Sequence, residues 1–313
     1  MNNQNKGIHH ISIISGDPQV NVDFYFKTLG LRMVLKTVNQ DDPSTYHLFY
    51  ANGEGQPGSS ITFFPWPMAI QSKPGTGQVS TISFLVPKGT QDFWIDRFAS
   101  RDVPFGTPIE RFGKKVLPFR DPDGLNLELV EESRIDGIPA WKDGPISEEN
   151  AIRGFWGSVL WLTQTESTQT ILQEVMGYEL SAKDDDLTML KTTAPLGHSI
   201  ILKKESEAVQ GKTGRGTVHH IAFRAKDEKE LAMMRNQVLE MGLSPTEIID
   251  RHVFKSVYFH TPDGVLFEMA TDGPGYDSIV ENKSDMGKLL FLPPWLEKKR
   301  EMIEKRLQPI EAD

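Results

Sequence analysis

The sequence predicts an α+β protein of four βαβββ modules arranged as two domains. Three observations carry that expectation. A strand, a helix, a Gly-containing turn and further strands recur in the same order four times along 313 residues. Two copies share a hairpin: FRDPDGLNLE, from Phe119 to Glu128, aligns with FHTPDGVLFE, from Phe259 to Glu268, each turned by Pro-Asp-Gly with the Gly free to take the left-handed position. The length suffices for two units of about 150 residues, each burying its own core.

The first copy opens with a strand over His9–Ile14. Its helix starts at Asp17-Pro18, since Asp caps a helix N-terminus and Pro suits the first helical position, and ends near Leu29-Gly30-Leu31. Arg32–Lys36, Tyr46–Tyr50 and Ser60–Phe64 follow as strands. The second copy runs from Val79–Val86 through a helix over Thr90–Ser100 to Val116–Phe119 and Leu125–Val130. The third begins at Gly157–Leu162, passes a helix ending in Met176-Gly177-Tyr178 and closes with His198–Lys203. The fourth has Val218–Arg224, a helix over Glu228–Leu239, then Ser256–Phe259 and Val265–Ala270. Ile135–Ile152, rich in Gly, Pro and charge, separates an N-terminal pair of modules over 7–134 from a C-terminal pair over 153–274. A tail over 285–313 breaks at Pro293-Pro294 and then has helical apolar spacing at Trp295, Leu296, Met302, Ile303 and Leu307, which reads as a packing helix.

Bulk properties narrow the function. A net charge of -9 excludes a nucleic-acid footprint, which needs concentrated Lys and Arg. No apolar run approaches a bilayer span, and Met1–Asn5 lacks the apolar core of a signal peptide, so a cytoplasmic location with no membrane partner is expected. With no cysteine, any metal must be held by nitrogen and oxygen. The expected partner is a small molecule, and homo-oligomerisation stays open.

Overlaying the copies puts His10, Thr81, Gly157 and His220 in one register of the opening strand. Thr62, Glu128, Ile201 and Glu268 share one register of the closing strand. Copies one and four therefore contribute two imidazoles and a carboxylate, His10, His220 and Glu268. That is the facial triad of non-haem Fe(II), which leaves positions for substrate and O2; Mn(II) or another divalent metal suits the same donors. Glu128, alone in its half, reads as a hydrogen-bonded or rim carboxylate. Strand alternation sends His9 and His219 away from the face of their neighbours. Ser12, which shares the face of His10 and could hydrogen-bond a bound oxygen, and His9 are candidates for the substrate side of the site. A three-residue Pro-Asp-Gly loop pairs Thr261 with Val265 and sets Tyr258 opposite Glu268, aimed at the same cavity. Trp156, Phe155, Phe254 and Phe267 are candidates to wall an aromatic ring, while His47, His198, His252 and His260 receive no role.

The repeated units, GIHHISI, TVHHIAF and TPDGVLFEMA resemble the vicinal oxygen chelate superfamily, the glyoxalase and extradiol dioxygenase fold. Nearly the whole chain, including GDPQVNVDFYFKTLGLRMVLKTVNQDD, YHLFYANGEGQPGSSITFFP and FLPPWLE, is similar to bacterial ring-cleaving dioxygenases of the hydroquinone and methylhydroquinone type. That resemblance implies Fe(II), a small aromatic diol and O2, with both oxygen atoms entering as a carbon-carbon bond beside a hydroxyl breaks. It also implies a tyrosine at Tyr258 for proton transfer or anchoring, an arginine at Arg251 near the substrate, and hydrogen-bonding roles behind the ligands for His219 and His9.

Three other classes suit the sequence less well. A glyoxalase-type isomerase or lyase usually has a fourth protein ligand, where this chain has Thr62. A catechol extradiol enzyme would carry a third-module histidine, where this chain has Trp156-Gly157-Ser158. A metal-free small-molecule binding protein needs no triad.

Overall fold

The computed structural model describes residues 6–133 and 135–312. Residues 1–5, Arg134 and Asp313, on which the signal-peptide reading and two segment ends fall, lie outside the described residues. The first module consists of β1 (Ile8–Ser15), α1 (Pro18–Val22) prolonged by a π-helical turn over Asp23–Thr28, β2 (Arg32–Val38), β3 (Tyr46–Ala51) and β4 (Ser60–Pro65). The second has β5 (Gln78–Pro87), α2 (Gln91–Ser100), β6 (Ile109–Arg111), β7 (Lys114–Arg120) and β8 (Asn126–Glu132). The third has β9 (Gly154–Leu162), α3 (Glu166–Glu174), β10 (Glu179–Asp184), β11 (Leu187–Lys191) and β12 (Ser199–Lys204). The fourth has β13 (Thr217–Ala225), α4 (Glu228–Glu240), β14 (Ile249–Asp250), β15 (Lys255–His260) and β16 (Leu266–Thr271). The tail adds α5 (Pro294–Glu297) and α6 (Arg300–Glu304).

Local signals explain most of these elements. The Asp17 carboxylate accepts from the Gln19 and Val20 amides at 2.8 and 3.0 Å, the cap that starts α1. In the matched hairpins Gly124 and Gly264 take φ of 85° and 93°, where a Cβ would be strained, and the Thr261 amide donates to the Val265 carbonyl at 2.9 Å. β6, β10 and β14, which the apolar pattern does not reveal, are edge strands with mostly exposed residues, so their pairing leaves little alternation to read. The tail departs from one continuous helix: it breaks after Glu297, and Leu296, Ile303 and Leu307 pack with Val38 and Leu292 while Trp295 and Met302 stay about half exposed. Among the described residues no helix is long and apolar enough to cross a membrane.

Two eight-stranded sheets result, ordered β14-β15-β16-β13-β1-β4-β3-β2 and β10-β11-β12-β9-β5-β8-β7-β6. Each sheet takes one module from either half of the sequence: the first and fourth modules build one, the second and third the other. In every module the closing strand lies parallel to the opening strand at the same offset, as Ser12↔Thr62, Ser83↔Glu128, Val159↔Ile201 and Ala222↔Glu268. Period-2 alternation then divides β1, with Ile11 and Ile13 in the main apolar core together with Ile82 and Phe84 of the other sheet, and His10 and Ser12 on the opposite face.

The central antiparallel pairs are irregular at matching points. Between β1 and β13, Ile8↔Phe223 is followed by His10↔Ala222, leaving His9 as an extra residue, and Ser12↔His220 is followed by Ile13↔Val218, leaving His219 extra. Between β5 and β9 the extra residues are Ser80 and Trp156, the equivalents of His9 and His219 in their modules. A bulge re-aims the side chain it carries, so strict alternation fails at these four positions.

Candidate metal centre and substrate cavity

Three adjacent strands, β1, β13 and β16, bring His10, His220 and Glu268 together. His220 Nε2 and His10 Nε2 lie 2.9 and 3.1 Å from Glu268 Oε2, and 3.3 Å from each other. All three residues are buried, yet neither carboxylate oxygen of Glu268 has a hydrogen-bond partner of acceptable geometry among the described residues. A buried, unsatisfied carboxylate is costly and calls for a cation. Ligands cis to one another at about 2.1 Å from a metal stand about 3.0 Å apart, against about 3.4 Å at tetrahedral angles. The spacings here, 2.9 to 3.3 Å, run from near the first value to near the second, so one divalent ion can reach all three donors, the set of a 2-His-1-carboxylate site. Burial pushes the Glu268 carboxyl up, but the two imidazoles more than reverse this and hold it well below the usual carboxylate range.

The bulges give each ligand a histidine neighbour on its own strand. His9 Nε2 lies 3.1 Å from the Thr271 carbonyl, which can only accept, so Nε2 carries the proton and Nδ1 offers a lone pair. His10 Nδ1 sits 2.9 Å from that lone pair and therefore donates to it, which frees His10 Nε2 for a metal. His219 Nδ1 lies 2.8 Å from His220 Nδ1; with His220 Nε2 kept free in the same way, His219 accepts there, carries its proton on Nε2 and lines the cavity. The alternation argument thus fails for both pairs: His9 and His219 lean on the ligands rather than pointing away.

A cavity of about 470 Å³ opens over His10 and His220, with Glu268 fully buried beside them. Tyr258 lines it and pairs with Glu268 across β15–β16 as the hairpin register predicts, its ring edge-on to His220 at 5.5 Å. Burial raises the Tyr258 pKa well above its ordinary value, with the Glu268 charge adding to it, so the hydroxyl stays a proton donor at neutral pH. Arg251 holds its guanidinium 5.4 Å from the Tyr258 ring centre, 3.8 Å from Asp41. Phe254 lies 5.1 Å from the His10 ring and also lines the cavity.

Several sequence expectations need correction. His9 does not line the cavity: both its nitrogens are engaged, and it lies behind His10 against Phe254. Ser12 has the expected face but is fully buried behind the wall, 2.7 Å from Thr62 Oγ1. Trp156 and Phe155 belong to the other sheet, where Trp156 packs beside His198 and Phe155 stacks on Phe84, because module three pairs with module two. Phe267 alternates with Glu268 and faces the core against Phe223 and Phe259. His47, given no role from sequence, lines the cavity, held between Phe49 and Phe64 at 4.0 and 4.1 Å with Nε2 2.9 Å from Thr62 Oγ1. Its signal was the register of Thr62, two residues along the paired strand. Trp66 and Phe291, also unflagged, complete the apolar wall.

The second sheet carries Thr81 and Gly157 at the places of His10 and His220. Glu128 keeps the place of Glu268, but Ser83 donates to its carboxylate and the Arg111 guanidinium pairs with it. A fixed cation from the chain satisfies the charge that a metal would otherwise meet.

Comparison with known proteins agrees with this architecture. The model of the Glyoxalase/Bleomycin resistance protein/Dioxygenase superfamily matches residues 7–129 and 151–269. The chain is 42% identical over 306 residues to a Bacillus subtilis protein with the provisional name ring-cleaving dioxygenase MhqO, covering 98% of this chain and 97% of that one. It is 32% identical to the chlorohydroquinone/hydroquinone 1,2-dioxygenase of Sphingobium indicum, over 93% of this chain and 92% of the relative. A solved Bacillus subtilis structure, also provisionally named a dioxygenase, superposes with a TM-score of 0.94 at 42% identity over 99% of both chains. Glyoxalase I of Zea mays, at 15% identity, 85% and 92% coverage and a TM-score of 0.64, shares the fold.

Proposed function

Because the chain belongs to the Glyoxalase/Bleomycin resistance protein/Dioxygenase superfamily, we propose that it is an Fe(II)-dependent, extradiol-type ring-cleaving dioxygenase acting on hydroquinone-type aromatic diols. The observation that carries this reading is the three-donor centre, His10, His220 and Glu268, at the floor of a largely apolar cavity. Fe(II) held by these residues would supply the Lewis acidity that favours a phenolate and the electronic path between diol and dioxygen. Both atoms of O2 enter the product, and the diol itself supplies the electrons, so no external reductant is required. Mn(II) or another divalent ion suits the same donors.

The chain's own groups do the rest. Phe254, Phe49, Phe64 and Trp66 pack an aromatic ring and exclude water from it. Tyr258, protonated and beside Glu268, exchanges a proton with the ring hydroxyl next to the triad. Arg251 orients the tyrosine and adds positive charge at that end of the cavity. His219, protonated on Nε2, offers a donor in the cavity wall, and His9 holds the His10 tautomer from behind.

A glyoxalase-type reaction is disfavoured because Thr62, at the register of a fourth ligand, is committed to Ser12 and His47. A cytoplasmic setting remains part of the reading on the acidic, cysteine-free composition. The test is anaerobic Fe(II) loading followed by oxygen uptake with hydroquinone, methylhydroquinone, catechol and a methylglyoxal-thiol adduct. One O2 consumed per hydroquinone, with both atoms of labelled oxygen in the product, is expected. Isomerisation of the thiol adduct without oxygen uptake, or turnover of catechol in preference to both hydroquinones, overturns the proposal.

A further inference from the structure

The first sheet carries a buried hydroxyl chain that ends on a cavity histidine. Ser12 is fully buried, and the sole hydrogen-bond partner of its Oγ among the described residues is Thr62 Oγ1 at 2.7 Å. A buried hydroxyl proton left unpaired is costly, so Ser12 donates to Thr62. Thr62 then spends its single proton on His47 Nε2, 2.9 Å away. An imidazole that accepts through Nε2 carries its proton on Nδ1. The ring packs at a tilt against Phe49 and Phe64, with centroids 4.0 and 4.1 Å away, and lines the cavity, while Nδ1 has no hydrogen-bond partner among the described residues. β3, which bears His47, lies two strands from β1 on the side away from β16 and β15, about 10 Å along the sheet at the usual strand spacing. Tyr258 and Arg251 therefore stand at one flank of the triad and His47 at the other.

We propose that His47 is a specificity-determining residue whose Nδ1–H donates to the oxygen of a para-diol that lies away from the metal centre. This inference rests on the proposed ring-cleaving reading and deepens it: the remote donor selects aromatic rings bearing a second oxygen across the ring, as opposed to phenols or ortho-diols. Ser12 and Thr62 are positioning residues that hold the tautomer.

The test compares the Fe(II)-loaded parent, His47→Phe and Thr62→Val with hydroquinone as substrate and phenol, which lacks the remote oxygen, as competitive inhibitor. Loss of a hydrogen bond made equally in ground and transition states raises KM by roughly 3- to 10-fold and leaves kcat within about twofold. Phenol inhibition should stay within about twofold of the parent in both variants. In the zinc-substituted protein, the 15N resonances of His47 should report the Nδ1–H tautomer. Unchanged KM in both variants, a parallel loss of phenol binding, or an Nε2–H tautomer overturns the inference while the parent's turnover leaves the proposed reaction standing. A parent that does not turn over hydroquinone overturns that reaction and this inference with it. If His47→Phe fails to fold, Thr62→Val and the tautomer carry the same decision.

Discussion

His9 and His10, neighbours on one strand, meet through their Nδ1 atoms 2.9 Å apart, and the Thr271 carbonyl on the far side of His9 sets which nitrogen of each is protonated. The bulge makes this contact geometrically available. His9→Phe keeps a ring against Phe254 and removes only the acceptor for His10 Nδ1–H. Metal affinity should fall by about 10- to 100-fold, the usual effect of deleting a hydrogen-bond partner behind a ligand. Competition with a chelator measures it, and an unchanged affinity would show that His9 does not hold the His10 tautomer.

His10→Ala, His220→Ala and Glu268→Ala should each abolish metal retention and activity while the fold survives, since each removes one of three donors. Metal analysis of the purified variants, with circular dichroism as the control for folding, decides the ligand set. Full iron occupancy in Glu268→Ala would take that residue out of it.

Tyr258→Phe retains the packing against His220 and deletes a hydroxyl. Turnover of hydroquinone should drop by ~10²-fold or more, the scale of one positioned acid or base, with iron content unchanged. A rate within about twofold of the parent is too small a change for a lost proton transfer and would return Tyr258 to a packing role.

Arg111→Met should leave Glu128 with a buried charge and one remaining donor, Ser83. Breaking such a pair from one side costs about 3–5 kcal/mol when fully buried, and somewhat less here because the guanidinium is partly exposed. Urea denaturation reads this loss, which Glu128→Gln should partly restore in the double variant. Metal content should stay at one ion per chain in the parent, since the second sheet supplies its own cation; two ions per chain would contradict this account.

Acid should destabilise the protein through His198, which burial beside Trp156 lowers to about 4. The unfolded chain takes up this proton first, near pH ~6.5, so stability is full above that pH and is lost as the pH falls toward the folded value. His198→Gln should flatten the fall in Tm between neutral pH and about pH 4.5 relative to the parent. Equal acid sensitivity of parent and variant would assign the loss to other groups.

Local signals in the chain specify the four-module repeat, the hairpin registers and the set of chemically capable side chains. Those features are written in local code: the Asp17-Pro18 cap, the Pro-Asp-Gly turns, the period-2 apolar pattern, and an equal offset between opening and closing strands in every copy. Tyr258 opposite Glu268 was legible for the same reason, because a hairpin register depends on a few neighbouring residues. Tertiary structure alone decided which modules share a sheet, and with it that Trp156 and Phe155 sit away from the cavity that Phe254 lines. It also decided the bulges at His9 and His219, since these arise where β1 and β13 pair across some 200 residues of chain and no local pattern encodes a skipped partner. His47 was missed on the same ground: its place in the wall depends on the fold of the whole first sheet around the triad, and its tautomer on two hydroxyls from β1 and β4 that meet it only when those strands align.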